Sequence, residues 1–146
     1  MTGGALSDWL IRRGVSPVRA RMALLIAVGC LMPLGALVGH VSSVTTAICL
    51  ICLATYLTQC WSTNTAVLTA DLVGGPSTGT VMGMMGTAGS LGGIVFTQVL
   101  GRVVGHLGYP SAFVLAAVLH PIAALTLTLL LRGQKAYPHG ENPSAP

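Results

Sequence analysis

Acid is almost missing from this chain: Asp8, Asp71 and Glu141 are the three acidic residues among 146. Charged residues of both signs make up 7% of the sequence, where a soluble domain carries about 25%. The chain is long enough for a soluble core but has too little polar surface to cover one. Aromatic residues are also scarce, at 5%. The net charge of +4 could suggest nucleic acid, but the basic residues sit beside apolar runs, with no aromatic or polar surface around them. Nucleic acid is therefore excluded as a partner. No short apolar run with a small-residue cleavage site opens the chain, so no signal peptide is expected. No phosphate loop, catalytic dyad or Ser–His–Asp arrangement occurs, and the expectation is a protein that is not an enzyme and needs no cofactor.

Cysteine is present but carries little chemistry. Cys30, Cys49, Cys52 and Cys60 all lie in apolar runs. Cys49 and Cys52 have the spacing of a metal half-site, yet no second pair and no nearby His completes it. Small apolar packing is the expected role, without metal or disulfide.

What the chain does have is apolar length. Hydrophobic residues make up 53% and mean hydropathy is +0.80, which makes the lipid bilayer the expected partner. The pattern predicts an all-α integral membrane protein with four transmembrane helices, at 22–41, 44–68, 80–104 and 111–131. Segment 1–21 reads as a cytoplasmic loop in which 5–11 can form a short helix before Gly14 and Pro17 interrupt it. Pro33 and Gly35 should kink the first span, which membrane helices tolerate. Segment 69–79 reads as a second cytoplasmic loop, and 132–146 as a polar, disordered cytoplasmic tail.

Orientation follows from the seven Lys and Arg residues. With the N-terminus cytoplasmic, Arg12, Arg13, Arg19, Arg21, Arg132 and Lys135 fall inside, and Arg102 alone lies outside. Both termini are then cytoplasmic.

The third span carries an unusual load of glycine. With Gly79 set at zero and 100° per residue, Gly83, Gly86, Ser90, Gly93, Thr97 and Gly101 all fall within about 40°. One face is nearly bare backbone. In water each such glycine costs roughly 1 kcal/mol relative to Ala. In lipid the backbone must bond to itself, so the helix persists, and the small face lets another helix approach closely. The spacings Gly79/Gly83 and Gly89/Gly93 are those of close helix packing.

The second span carries a polar stripe. Taking Gln59 as zero, Thr45, Cys52, Thr55, Tyr56, Ser62 and Thr63 lie within about 60° of it. Such a stripe is costly in a membrane unless it faces a neighbour or a water-filled cavity. Gln59 offers one acceptor and two donors, the hydroxyls add more, and Tyr56 supplies an aromatic wall. These groups suit the hydroxyls and carboxylate of a sugar acid; interhelical hydrogen bonding is the plainer role. Asn64 lies off the stripe toward the cytoplasmic end, and Trp61 projects to the other side as a possible interfacial anchor. His120, just before Pro121, is expected to be a neutral imidazole bonded to a carbonyl of its own helix neighbourhood.

Two stretches resemble a known family. Gly4-Ala-Leu-Ser-Asp8-Trp-Leu-Ile-Arg12-Arg13-Gly14 resembles the cytoplasmic loop motif between the eighth and ninth helices of major facilitator superfamily transporters. Gln59-Cys-Trp61-Ser62-Thr-Asn64, then Asp71, then the run from Gly79 to Gly93 is similar to helices ten and eleven of hexuronate transporters, in the anion:cation symporter branch. The resemblance covers most of the chain, from about Gly3 to Leu131. It departs where that family often has a basic residue before the glycine helix, since this chain reads Gly75-Pro76-Ser77-Thr78.

The resemblance implies a twelve-helix fold of two halves with substrate between them, of which this chain supplies helices nine to twelve. It implies a bacterial inner-membrane location, a sugar-acid or organic-anion substrate and the proton as coupling ion. It also implies that N-terminal helices carrying most of the coupling charges are missing here. Gln59, Ser62, Tyr56 and Asn64 become candidate substrate-binding residues. Asp8, Arg12 and Arg13 become a gating motif, with Asp8 pairing with a helix N-terminus or with Arg12. The alternatives are a self-standing four-helix membrane protein, either a small exporter or a structural subunit. The exporter needs an acidic residue in its first span, which has none. The subunit does not need the Gln59 stripe.

Overall fold

A computed structural model of the chain describes residues 2–131, with side chains from Ser7 onward. The expected tail at 132–146 lies outside the described residues. Among the described residues the chain is all helical, and four helices are long and apolar enough to cross a membrane.

The N-terminal segment is more ordered than a loop. Helix α1 spans Thr2–Arg12, and α2 begins at Pro17. Gly14 separates them at φ 89°, where a side chain would be strained. The Gly14 N–H donates to the Ile11 carbonyl at 2.9 Å, and that of Val15 to the Leu10 carbonyl at 3.2 Å. These two reverse bonds close α1, and Pro17, which lacks an N–H that the first turn would leave unpaired, opens the next helix. The first span therefore starts before 22, with Arg19 and Arg21 inside its first turns.

Helix α2 covers Pro17–Leu31 and then tightens into a 3-10 helix over Met32–His40. Pro33 removes a donor and its ring collides with the carbonyl four residues back, so the α pattern cannot continue. The expected kink is thus a change of helix type. At about 2.0 Å per residue the tighter segment also carries the span further than an α-helix would.

Helix α3 runs over Val44–Val73, capped by Ser43, whose hydroxyl accepts from the Thr46 N–H at 3.4 Å. It outlasts the expected limit at 68 because nothing before Gly74 breaks a helix. The turn at its end is short: Gly74 and Gly75 both have positive φ, at 58° and 64°, and Pro76 follows. Most of the loop expected at 69–79 is therefore helix. Helix α4 covers Thr78–Leu107 and α5 covers Tyr109–Leu131, with Pro121 inside it.

The helices pack unevenly. Helix α5 lies along the 3-10 segment and α2, α2 lies along α3, and α4 touches α5 and α3 lightly. The core joins Val28, Met32 and Leu57, with Cys60 and Trp61 against it. Helix α4 contributes no buried residue.

Two glycines hold the packed side together. A Cβ on Gly39 would stand 2.8 Å from the Pro110 Cα, and one on Gly29 2.9 Å from the Ala124 Cβ. Ala117 and Ala124, two turns apart on α5, are buried. Close approach through small residues is the ordinary means of association in lipid. Here it joins α2 and the 3-10 segment to α5. The glycine face of α4 is different: a Cβ on Gly79, Gly83, Gly86, Gly89 or Gly93 would meet nothing within 4 Å. Among the described residues those glycines pack against no neighbouring helix.

Candidate functional site

The polar stripe lies on the outside of the four-helix unit. Gln59, Ser62 and Tyr56 are exposed on one side of α3, while Leu57, Asn64 and Leu68 are buried on the other. The threonines of α3 are partly committed. Thr55 donates to the Ile51 carbonyl at 2.9 Å, and Thr58 to the Ala54 carbonyl at 2.9 Å. A hydroxyl bonded to its own helix has no donor left for a ligand, so these threonines add little donor capacity to the stripe.

Asn64 does not join this face. It is 2% exposed, and its Nδ2 donates to the Cys60 carbonyl at 2.8 Å. Its place is in the packing of α3 against the rest of the unit. Trp61 projects away from the stripe as expected, but into the bundle, so it is not an interfacial anchor. It packs on the Val28–Met32–Leu57 core and meets the His120 ring edge-on, with centroids 5.4 Å apart. His120 therefore sits between α3 and α5, beside a cavity of about 150 Å³ that Met32, Gly35, Ile51 and Phe113 also line.

The N-terminal motif is arranged differently from the expectation. Asp8 and Arg12 on α1 and Arg13 just after it are exposed, and the guanidinium of Arg13 lies 3.8 Å over the Trp9 ring. Among the described residues the ion pair that forms joins Arg21 to Asp71, with Nε 2.5 Å from Oδ2. Asp8, expected to pair with a helix N-terminus or with Arg12, is exposed, and among the described residues no ion pair joins it to Arg12. Arg21 Nη1 also reaches the Ser7 hydroxyl at 3.4 Å, and Ser7 is fully buried. One guanidinium thus ties α1, α2 and the last turns of α3 together. By sequence Asp71 falls in the loop expected at 69–79; the structure puts it in the last turns of α3, within reach of Arg21.

The cysteines divide. Cys60 packs on the core, while Cys30, Cys49 and Cys52 are exposed rather than packed within the chain, and all four are free thiols. Among the described residues no group of three or more His, Cys, Asp or Glu side chains could hold a metal ion.

No protein-family model matches this sequence, and no curated protein matches it. What the fold itself defines is an all-helical chain with four helices able to span a bilayer, consistent with a multi-pass membrane protein.

Proposed function

We propose that this chain is the C-terminal portion of a secondary active transporter of the major facilitator superfamily, carrying a hexuronate or related sugar acid with proton coupling. It would supply the last four of twelve helices and sit in the bacterial inner membrane with both termini cytoplasmic. The observation that carries this reading is the exposed face of α3. Gln59 and Ser62 are exposed in the middle of an apolar span, with none of the other described helices covering them. A carboxamide facing hydrocarbon is costly, so the face calls for a cavity or a partner helix. The open glycine face of α4 is a second surface of the same kind, suited to close approach by helices outside the chain.

In this reading Gln59 and Ser62 hydrogen-bond the hydroxyls and carboxylate of the substrate, and Tyr56 forms a wall. Asn64 acts in packing rather than contact. The charges that couple uptake to protons reside in the missing helices. The test is hexuronate binding and uptake by a complete transporter carrying this segment, with Gln59→Ala and Ser62→Ala, normalised to protein in the membrane. Losing a hydrogen bond in a desolvated site costs about 1–3 kcal/mol, roughly a five- to 150-fold loss of affinity. Parent-like binding by both variants would make the stripe structural. The chain alone should show no coupled uptake.

A further inference from the structure

We propose that Trp9, Arg12, Arg13 and Arg19 form a docking surface for the phosphate headgroups of anionic membrane phospholipids. Such a surface requires only that Pro17–His40 spans the bilayer, whatever the chain carries.

Placement comes first. Helix α1 ends two residues before Gly14, and the first span begins three residues after it, at Pro17. A span that starts there puts α1 and the first turn of α2 at the level where hydrocarbon gives way to headgroups. Helix α1 turns one side inward: Ser7 is fully buried, and Leu10 and Ile11 are half-buried. At 100° per residue Trp9 and Arg12 occupy the opposite arc, and Arg13 follows directly after the helix, over Trp9. All three are exposed, as is Arg19 across the turn.

Charge comes second. Arg21, the remaining cation at this end among the described residues, is taken up by Asp71 and Ser7. Among the described residues Asp8 on α1 is the one unpaired acid near the three exposed guanidiniums, so positive charge is in excess there. Guanidinium groups present a planar fork that fits phosphate oxygens, and a basic cluster next to a span attracts anionic headgroups.

The aromatic comes third. Trp9 is 46% exposed, yet it carries the Arg13 guanidinium 3.8 Å above its ring. An indole that is half open and covered by a cation suits an interface, with its apolar body toward acyl chains and its polar edge toward headgroups. The start of α2 adds to this. Ser16 makes no side-chain cap, so the first N–H groups of the helix have no side-chain acceptor from it.

The test uses the full chain in neutral detergent micelles, titrated with phosphatidylglycerol or phosphatidylcholine, counting bound lipid by native mass spectrometry. Phosphatidylglycerol should bind more tightly, and added salt should weaken it. Replacing one arginine by Gln should cost roughly fivefold in affinity, and R12Q/R13Q/R19Q on the order of a hundredfold. The all-lysine triple R12K/R13K/R19K, which keeps the charge, should retain most of the preference. In the parent chain brominated phosphatidylglycerol should quench tryptophan fluorescence, and Trp9→Phe should remove that lipid-specific part even though Trp61 remains. This second readout holds if the triple variant fails to fold. Equal affinity for the two lipids, parent-like binding by the Gln variants, or quenching that survives Trp9→Phe would overturn the proposal. Inorganic phosphate displacing the lipid at equal concentration would also overturn it, since the site would then take a soluble anion.

Discussion

Two sets of glycines in this chain are put to opposite uses. Gly29 and Gly39 stand where another backbone or a methyl group is already in place, so a Cβ would meet an atom at 2.9 Å and 2.8 Å. Gly79, Gly83, Gly86, Gly89 and Gly93 face open space. In the first set the missing side chain is what lets α2 and the 3-10 segment lie on α5. In the second it leaves α4 with a smooth side that no other described residue covers. Small residues in a membrane helix thus mark a surface fit for close packing, and do not say whether the partner lies in the same chain.

The difference is sharpest at Gly39. A Cβ there collides with the Pro110 Cα, which is backbone and cannot rotate away. Gly39→Val should therefore cost about 3 kcal/mol or more, at the upper end of overpacking effects. The expected outcome is little folded protein, and Pro110→Ala should not rescue it. Unfolding in mixed micelles at the parent's midpoint would break the argument for the packed side.

The Arg21–Asp71 pair comes next. Their side chains are 11% and 27% exposed, so breaking the pair leaves a charge in a partly dry junction. For fully buried pairs that loss is about 3–5 kcal/mol, and the partial exposure of Asp71 reduces it to about 1–3 kcal/mol. Asp71→Asn should lower stability by that amount and loosen α1, detected as faster proteolysis near Gly14. Asp8→Asn, on the outward face, should leave both unchanged. Equal effects of the two substitutions would place the junction elsewhere.

Gly29 offers a milder and more diagnostic case. Its obstruction is the Ala124 Cβ, with the His120 carbonyl oxygen 3.4 Å away. Gly29→Ala should cost about 1–2 kcal/mol. Ala124→Gly removes the obstructing atom, so the double variant should recover much of the loss, as contacting pairs do in a cycle. Strict additivity would show that the two helices do not meet there.

Helix number and type were legible because apolar runs of span length have few other outcomes. Boundaries were less so, for a physical reason. Hydropathy ends a span where polar residues begin, whereas a helix ends where its backbone is interrupted. Asp71 shows the difference: polar, and outside the apolar run, it is still inside α3 because Gly74 comes later. The stripe of Gln59, Ser62 and Tyr56 was legible from periodicity alone. Asn64 and Trp61 were misjudged because a helical angle tells which residues share a face, not which face is covered. The packing through Gly29, Gly39, Ala117 and Ala124 left a signal, small residues recurring along two helices, but the denser glycines of α4 overshadowed it. The ion pair at Arg21 needed three-dimensional proximity across 50 residues of sequence.

The smallest expected effect tests the open side. In the 146-residue chain, Leu at Gly86 or Gly93 meets no atom within 4 Å at its Cβ and gains helix propensity over glycine. Gly86→Leu and Gly93→Leu should therefore leave the chain at least as stable as the parent, with a gain of up to about 1 kcal/mol. In a complete transporter the same substitutions should prevent assembly, because a leucine side chain would separate helices meant to touch through backbone. The two measurements together locate the partner of α4. If the variants destabilise the isolated chain, the glycine face packs within it, and the contrast with Gly29 and Gly39 disappears. If they are harmless in both settings, the face meets only lipid and the case for missing helices loses its second support. Harmless alone and disruptive in the complete protein is the outcome expected of a surface built to receive helices from outside this chain.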